Sequence, residues 1–123
     1  MYQFLYPMEQ TNSEFLRGTL KTIVLNLLAN RERMYGYEIT QAVKERTQGQ
    51  LLLTFGALYP ILHKLEQEGL LMTESVEVDG RTRKYYALTP SGTETAQQKV
   101  SEFERFVEMM RSLLQSPTLA LTK

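Results

Sequence analysis

A chain of 123 residues with 42% hydrophobic side chains, 23% charged ones and no cysteine describes one globular domain without disulfides, thiolate nucleophiles or the usual structural zinc sites. No apolar run approaches the roughly 20 residues of a membrane-spanning helix, and MYQFLYPMEQ lacks the basic start of a signal peptide, so a cytoplasmic location is expected. Formal net charge is zero, but residues 17–64 carry seven basic and three acidic side chains, residues 65–80 carry five acidic and no basic ones, and Arg81, Arg83 and Lys84 follow; local placement rather than the sum decides what such a surface attracts.

The first seven residues hold Tyr2, Phe4, Leu5 and Tyr6 before Pro7 and no charge. Unordered segments are seldom so aromatic, which predicts an arm over residues 1–12 lying on the folded body, unless Met8 is the start and the segment an idle extension. In SEFLRGTLKTIVLNLLAN, Leu16, Leu20, Ile23, Val24, Leu27 and Leu28 form one buried helical stripe. Thr11 and Glu14 have capping-box spacing at its start. GYEITQAVKERTQG then offers Ile39, Ala42 and Val43 on one face of a second, shorter helix closed by Gly49. LLLT, residues 51–54, reads as a brief strand or a connector.

GALYPILHKLEQEGLL, residues 56–71, supplies a third helix. Leu58, Ile61, Leu62 and Leu65 face the core, leaving Tyr59, His63, Lys64 and Gln67 outside. With Thr54 as N-cap, Pro60 lies just beyond the first turn, and Gly56 four residues earlier is expected to ease the backbone past the proline ring. Gly69 closes the helix. LLMTESVEVDGRTRKYYALT is rich in Val, Thr and Tyr around Asp79-Gly80, a strong signal for a two-residue hairpin. Three helices followed by a hairpin make a winged helix-turn-helix over residues 13–89, a mainly α fold with a small β-hairpin. In that layout the third helix enters the major groove of DNA and the wing touches the phosphate backbone.

LRGTLKTIVLNLL, YGYEI, GALYPILHKLEQEGLL and RTRKYYALTPSG, in that order, resemble the PadR family of bacterial transcriptional regulators across residues 14–95. The resemblance implies a DNA-binding repressor acting as a homodimer, with release by a small aromatic effector bound in or near the dimer interface. The family pattern usually places histidine where this chain has Tyr35 and a small residue or proline where it has Phe55, departures that bear on the operator read. The shortness of the chain resembles the branch of the family with a single carboxy-terminal helix.

That last helix is legible independently. With Thr89 as N-cap and Pro90 at the first helical position, it is predicted to run over residues 90–115. Ala96, Val100, Phe103, Val107, Met110 and Leu114 alternate by four and three, a seam of about 28 Å at 1.5 Å per residue that would pair two copies. Phe106, Met109 and Leu113 broaden the seam. QSPTLALTK, with Pro117, has no sustained pattern, and residues 116–123 are expected to fray.

The candidate DNA contacts are Tyr37, Thr54, Ala57, Tyr59, His63, Lys64, Arg81, Arg83 and Lys84. The plainer alternatives are that Tyr59 is a packing tyrosine, that Tyr37 braces the helix-turn-helix, and that the three wing cations are a solvated edge that discourages strand pairing; with the third helix beside them, DNA contact is the favoured reading of Tyr59 and phosphate contact that of the wing cations. Phe103, Phe106, Met109 and Met110 are the candidate lining of an effector pocket, against the plainer reading that they are core. His63, the sole histidine, has no partners at metal-ligand spacing, so neither a metal nor another cofactor is expected. No Gly-rich phosphate loop, nucleophile elbow or HExxH helix is present, and an enzyme is not expected. The competing class is a winged helix used for protein docking, which gives no reason to place three cations beside one turn.

Overall fold

The computed structural model describes residues 5–115, with side chains from Glu14 onward. Its elements run α1 (Leu5–Ala29), β1 (Met34–Tyr35), α2 (Gly36–Arg46), α3 (Phe55–Gln67), β2 (Leu71–Val78), β3 (Arg81–Leu88) and α4 (Pro90–Leu114). Helix α1 does not begin at Thr11 as the capping-box spacing suggests; it runs back to Leu5 and takes Thr11 inside. Pro7 is tolerated because it falls in the opening turn, where a backbone N–H has no helical acceptor to lose. Residues 1–4 of the expected arm and the 116–123 tail lie outside the described residues, and residues 5–12 continue α1.

The core forms where the helical stripes meet. Leu20, Val24, Leu27 and Leu28 of α1 are buried, with Leu16 and Ile23 packed at the edge; Leu25, off the expected stripe, is buried too. Ile39 and Val43 of α2 and Leu58, Leu62 and Leu65 of α3 close on them. Residues 51–54 form a connector rather than a strand: Leu53 turns inward while Leu52 stays exposed, and the Leu51 N–H donates to Thr47 Oγ1 at 3.1 Å.

Helix α3 is fixed at both ends. Thr54 Oγ1 accepts from the Ala57 N–H at 3.2 Å. At the other end Gly69, at φ 79°, lets the Leu70 N–H reach the Leu65 carbonyl at 3.0 Å while its own N–H reaches Glu66, a Schellman closure with Leu65 and Leu70 both buried. The helix continues through Pro60. The expected steric need for Gly56 is absent, since a Cβ there would meet only Thr54 Oγ1, at 3.9 Å.

The wing is a β2–β3 hairpin closed by Asp79 and Gly80, both at positive φ (52° and 77°), the signature of a type I′ turn. A third strand, unannounced by the sequence, completes the sheet in the order β1-β3-β2. Met34 pairs with Tyr86 and Tyr35 with Tyr85. Side chains alternate across a sheet, so the buried Met34 and Tyr86 share the core face, while Tyr35 and Tyr85 stand on the outer face.

Helix α4 starts against the end of α3. Thr89 Oγ1 accepts from the Gly92 N–H at 3.0 Å and donates to the Gly69 carbonyl at 2.7 Å; the Thr89 N–H donates to the Leu70 carbonyl at 3.0 Å. A Cβ on Gly92 would overlap that same Leu70 carbonyl. Because the obstacle is backbone, Gly92→Ala should cost about 1–3 kcal/mol of stability despite the better helix propensity of alanine. Chemical denaturation checks this; an unchanged or higher midpoint would mean that α4 can shift without penalty.

Candidate nucleic-acid interface

With Leu58, Leu62 and Leu65 turned inward, helical geometry sends the rest of α3 outward. Phe55, Gly56, Ala57, Tyr59, His63 and Lys64 are all exposed. Neither His63 nor Lys64 has a side-chain hydrogen bond or ion-pair partner among the described residues. Thr54, also exposed, sits at the head of this face with its hydroxyl oxygen engaged as the cap. Of the two readings given for Tyr59, the packing one is visible in the fold. The residue stays 44% exposed, yet its hydroxyl lies where a Cβ on Gly36 would be, so it packs the start of α2 onto α3 while keeping an outward surface. Burial raises the Tyr86 phenol above its ordinary pKa, helped by Tyr59 and Glu66 nearby.

The acidic stretch after α3 is largely neutralised in place. Glu66 pairs with Lys84 at 3.9 Å, Glu68 with Lys21 at 3.2 Å and Glu74 with Arg33 at 2.7 Å, leaving Glu77 and Asp79 out at the wing turn. Carboxylates flanking α3 are thus held by lysines of other elements rather than by Lys64.

The three wing cations do not form one cluster. Strand alternation puts Arg81 and Arg83 on the outer face, whereas Lys84 points to the α3 side, where it meets Glu66 and sits 5.6 Å from the Tyr86 ring centroid. The Arg83 guanidinium lies 4.4 Å above the Tyr35 ring. Its pKa is raised, chiefly by the Tyr85 side chain against an opposing effect of desolvation, with smaller contributions from Tyr35 and Asp79. Arg81, beside the turn, has no ion-pair or ring partner among the described residues.

A family model described as the transcriptional regulator PadR-like family matches residues 24–98. The chain belongs to that family. It is similar to the transcriptional regulator Rv3488 of Mycobacterium tuberculosis, 39% identical over 79 residues that cover 64% of this chain and 70% of that one. Among solved structures it is similar to a transcriptional regulator from Clostridium thermocellum, with a TM-score of 0.76 and 28% identity over 83% of this chain and 99% of the other. A PadR family transcriptional regulator from Eggerthella lenta gives a TM-score of 0.75 at 28% identity, covering 87% of this chain and 91% of that one. The protein is therefore a PadR-like transcriptional regulator with a winged-helix fold, and not an enzyme. Among the described residues no helix is long and apolar enough to cross a membrane.

This PadR-like chain carries features near the interface that its sequence did not announce. Arg17 of α1 joins Thr54, Gly56, Ala57 and Pro60 around a shallow groove of about 420 Å³, bringing a cation to the head of α3. On the outer face of the sheet, Arg33 lies 4.3 Å over the Tyr85 ring, Tyr85 meets Tyr35 edge-on at 5.3 Å, and Tyr35 stacks with Tyr37 at 6.4 Å. Tyr37, 53% exposed, thereby extends from the first turn of α2 a ladder that ties α2 to the wing through Arg83. Only the cross-strand register of β1 on β3 brings these residues together.

Along α4 the expected seam divides. Ala96 is 2% exposed and belongs to the core of its own protomer, so it is not available to a partner. Val100 and Met110 are half-buried, while Phe103, Val107 and Leu114 are exposed, the last at 76%. Phe103 and Phe106 line a groove of about 680 Å³ against Phe15, Gly18 and Thr22 of α1; Met109 and Met110 lie outside it.

Replacing Tyr35 with leucine removes the ring beneath Arg83 and leaves Met34 in the core. Amide exchange at the β1–β3 pairing should then accelerate a few-fold, as befits an interaction worth roughly 0.5–1 kcal/mol, while the distal β2–β3 hairpin is unaffected. Equal exchange in both proteins would show that Met34 alone anchors β1.

Proposed function

We propose that this PadR-like regulator is a DNA-binding repressor that occupies a palindromic operator as a homodimer, with α3 in the major groove and the wing on the phosphate backbone. The observation that carries the reading is the outer face of α3: its side chains are exposed, Lys64 on it and Arg17 at its head have no ion-pair partner among the described residues, and Glu66 and Glu68 are held by lysines, with Arg81 adding an unpaired cation at the wing turn. Phosphate attracts such a rim, and base edges are read by what stands inside it. Tyr59, His63 and Lys64 are the base readers; Tyr37, Thr54 and Ala57 lie against the adjacent backbone. Among the wing residues, Arg81 is the most available phosphate ligand. Arg83 meets phosphate as a cation oriented by Tyr35, and Lys84 does so by sharing its charge with Glu66.

Two copies would present α3 to successive major grooves, with half-sites about 10 bp apart or a multiple of it. Binding to a selected operator and to scrambled duplex across a salt series tests this. Arg81→Gln should weaken both duplexes alike and reduce the salt slope by about 0.9 for each phosphate that the variant no longer neutralises. Lys64→Gln should instead shift which sequence is preferred, by about 1–3 kcal/mol if Lys64 reads a base. Absence of binding by the wild-type protein even at low salt would favour the protein-docking use of the fold.

The homodimer rests on α4. Beyond Val100 its apolar side chains exceed what α1 covers: Phe106 is 49% exposed, Met109 57% and Leu113 68%. Apolar surface in water costs about 25 cal/mol per Å², so a second copy is the natural cover. Phe106 and Leu113 are largely outside the protomer's own core, so exchanging both for Glu should yield a folded monomer with unchanged far-ultraviolet dichroism. Sedimentation of a dimer from that variant would place the interface elsewhere. What supports a site for a small aromatic effector is the α1–α4 groove, where Phe103 and Phe106 face Phe15 beside the same seam.

A further inference from the structure

The amino-terminal end of α3 carries an apolar group that phosphate recognition does not use. Phe55, the first residue of the helix, is 47% exposed, and Leu52 in the connector before it is exposed to the same extent. A single surface phenylalanine needs no explanation. This one is held: its ring packs against Tyr59 one turn on, centroids 5.8 Å apart at 32°, and Tyr59 is itself seated on Gly36. The pair forms a fixed aromatic wall. Beside it Gly56 presents no side chain, although a Cβ there would meet nothing closer than Thr54 Oγ1 at 3.9 Å. Folding therefore does not require glycine at this position for room, and its φ is not in the left-handed region. What the bare backbone provides is a gap in the outer face of α3, bordered by an aromatic wall.

We infer that Phe55, backed by Tyr59, is a specificity-determining residue that packs against the C5-methyl group of a thymine in the major groove, and that Gly56 keeps the space through which that base edge approaches. The thymine methyl is the one apolar group that base pairs display in that groove, so it is the matching occupant for a half-exposed ring beside a groove whose one lining cation is Arg17. The inference rests on the proposed DNA reading and adds to it which base is read and by which residue. It also gives Leu52 a place, as the apolar shoulder on the connector side of the wall.

Deoxyuridine differs from thymidine only in lacking that methyl, which makes it the probe. Once a bound duplex has been selected from a random pool, each thymine is replaced in turn by deoxyuridine and the affinities of wild-type and Phe55→Ala protein are measured. One position per half-site should lose about fourfold with the wild-type protein, the worth of one buried methyl group, and should lose nothing further with Phe55→Ala. Gly56→Ala should fold with undiminished thermal stability and bind the operator at least tenfold more weakly. If no thymine methyl matters to the wild-type protein, or if the loss persists undiminished in Phe55→Ala, the assignment to Phe55 is overturned while operator binding itself stands. If Gly56→Ala binds as tightly as wild type, the approach over Gly56 is overturned. Should the wild-type protein select no duplex at low salt, the DNA reading fails first and this inference with it.

Discussion

Burial of one face of α3 is the constraint on which the rest of the molecule depends. Leu58, Leu62 and Leu65 have no exposed surface, and their packing fixes the rotation of the helix about its axis. Rotation by one residue, about 100°, would put a leucine on the outer face and drive Tyr59 or Lys64 inward, at the cost of a hydrophobic contact and a buried charge together. The Thr54 cap and the Gly69 closure fix its position along that axis. The outward set is therefore determined by the inward one. Pro60 fits this arrangement because it lies on the exposed side, where the Gly56 carbonyl that lacks its N–H partner remains open to water.

Neutral composition and the proposed basic rim are reconciled by pairing rather than by number. The chain has as many acids as bases, but three of the five acids in residues 65–80 are engaged by Lys84, Lys21 and Arg33, which come from β3, α1 and the segment before β1. Exposed ion pairs of this kind contribute little to stability. Their consequence is electrostatic: they remove negative potential from the carboxyl-terminal flank of α3, and Arg17, Lys64 and Arg81 have no ion-pair partner among the described residues. The sheet handles Arg83 differently, holding it over the Tyr35 ring rather than in an ion pair. A cation so held keeps its charge and has already lost rotamer freedom, which in the proposed DNA reading would lower the entropic cost of meeting phosphate.

Much of this was readable because it depends on short spacings. The i, i+3 and i+4 leucines of α1 and α3, the Thr54 and Thr89 caps, the Gly69 stop and the Asp79-Gly80 turn each follow from a few adjacent residues, and each stands where the spacing puts it. What escaped depends on residues distant in sequence. A two-residue strand such as Met34–Tyr35 has no periodicity to detect, and without it Tyr35, Tyr85 and Arg83 look unrelated. Arg17 reaches the head of α3 only through the packing of α1. Ala96 satisfies the seam spacing of α4 but falls where that helix still lies on its own core, so heptad position alone could not separate intramolecular from intermolecular packing. Thr11 has capping chemistry, but a cap requires the chain to leave the helix there, and Met8 to Gln10 are good enough helix formers for it to continue.

The junction of α3 and α4 links the two halves of the proposed mechanism. Gly69 and Leu70, which close α3, offer their carbonyls to the hydroxyl and the backbone N–H of Thr89, which opens α4. Gly92 in the first turn of α4 comes so near the Leu70 carbonyl that no side chain fits between them. No flexible linker intervenes, and α3 and α4 are joined as if at a corner bracket. In a dimer assembled through α4, the separation and tilt of the two α3 helices would therefore follow from how the α4 helices cross. A change in that crossing, produced by anything lodged between α1 and α4 near Phe103, would reach α3 through backbone hydrogen bonds rather than through a chain of side chains. Half-site spacing and response to an effector would then share one structural origin, the close seating of α4 on the end of α3.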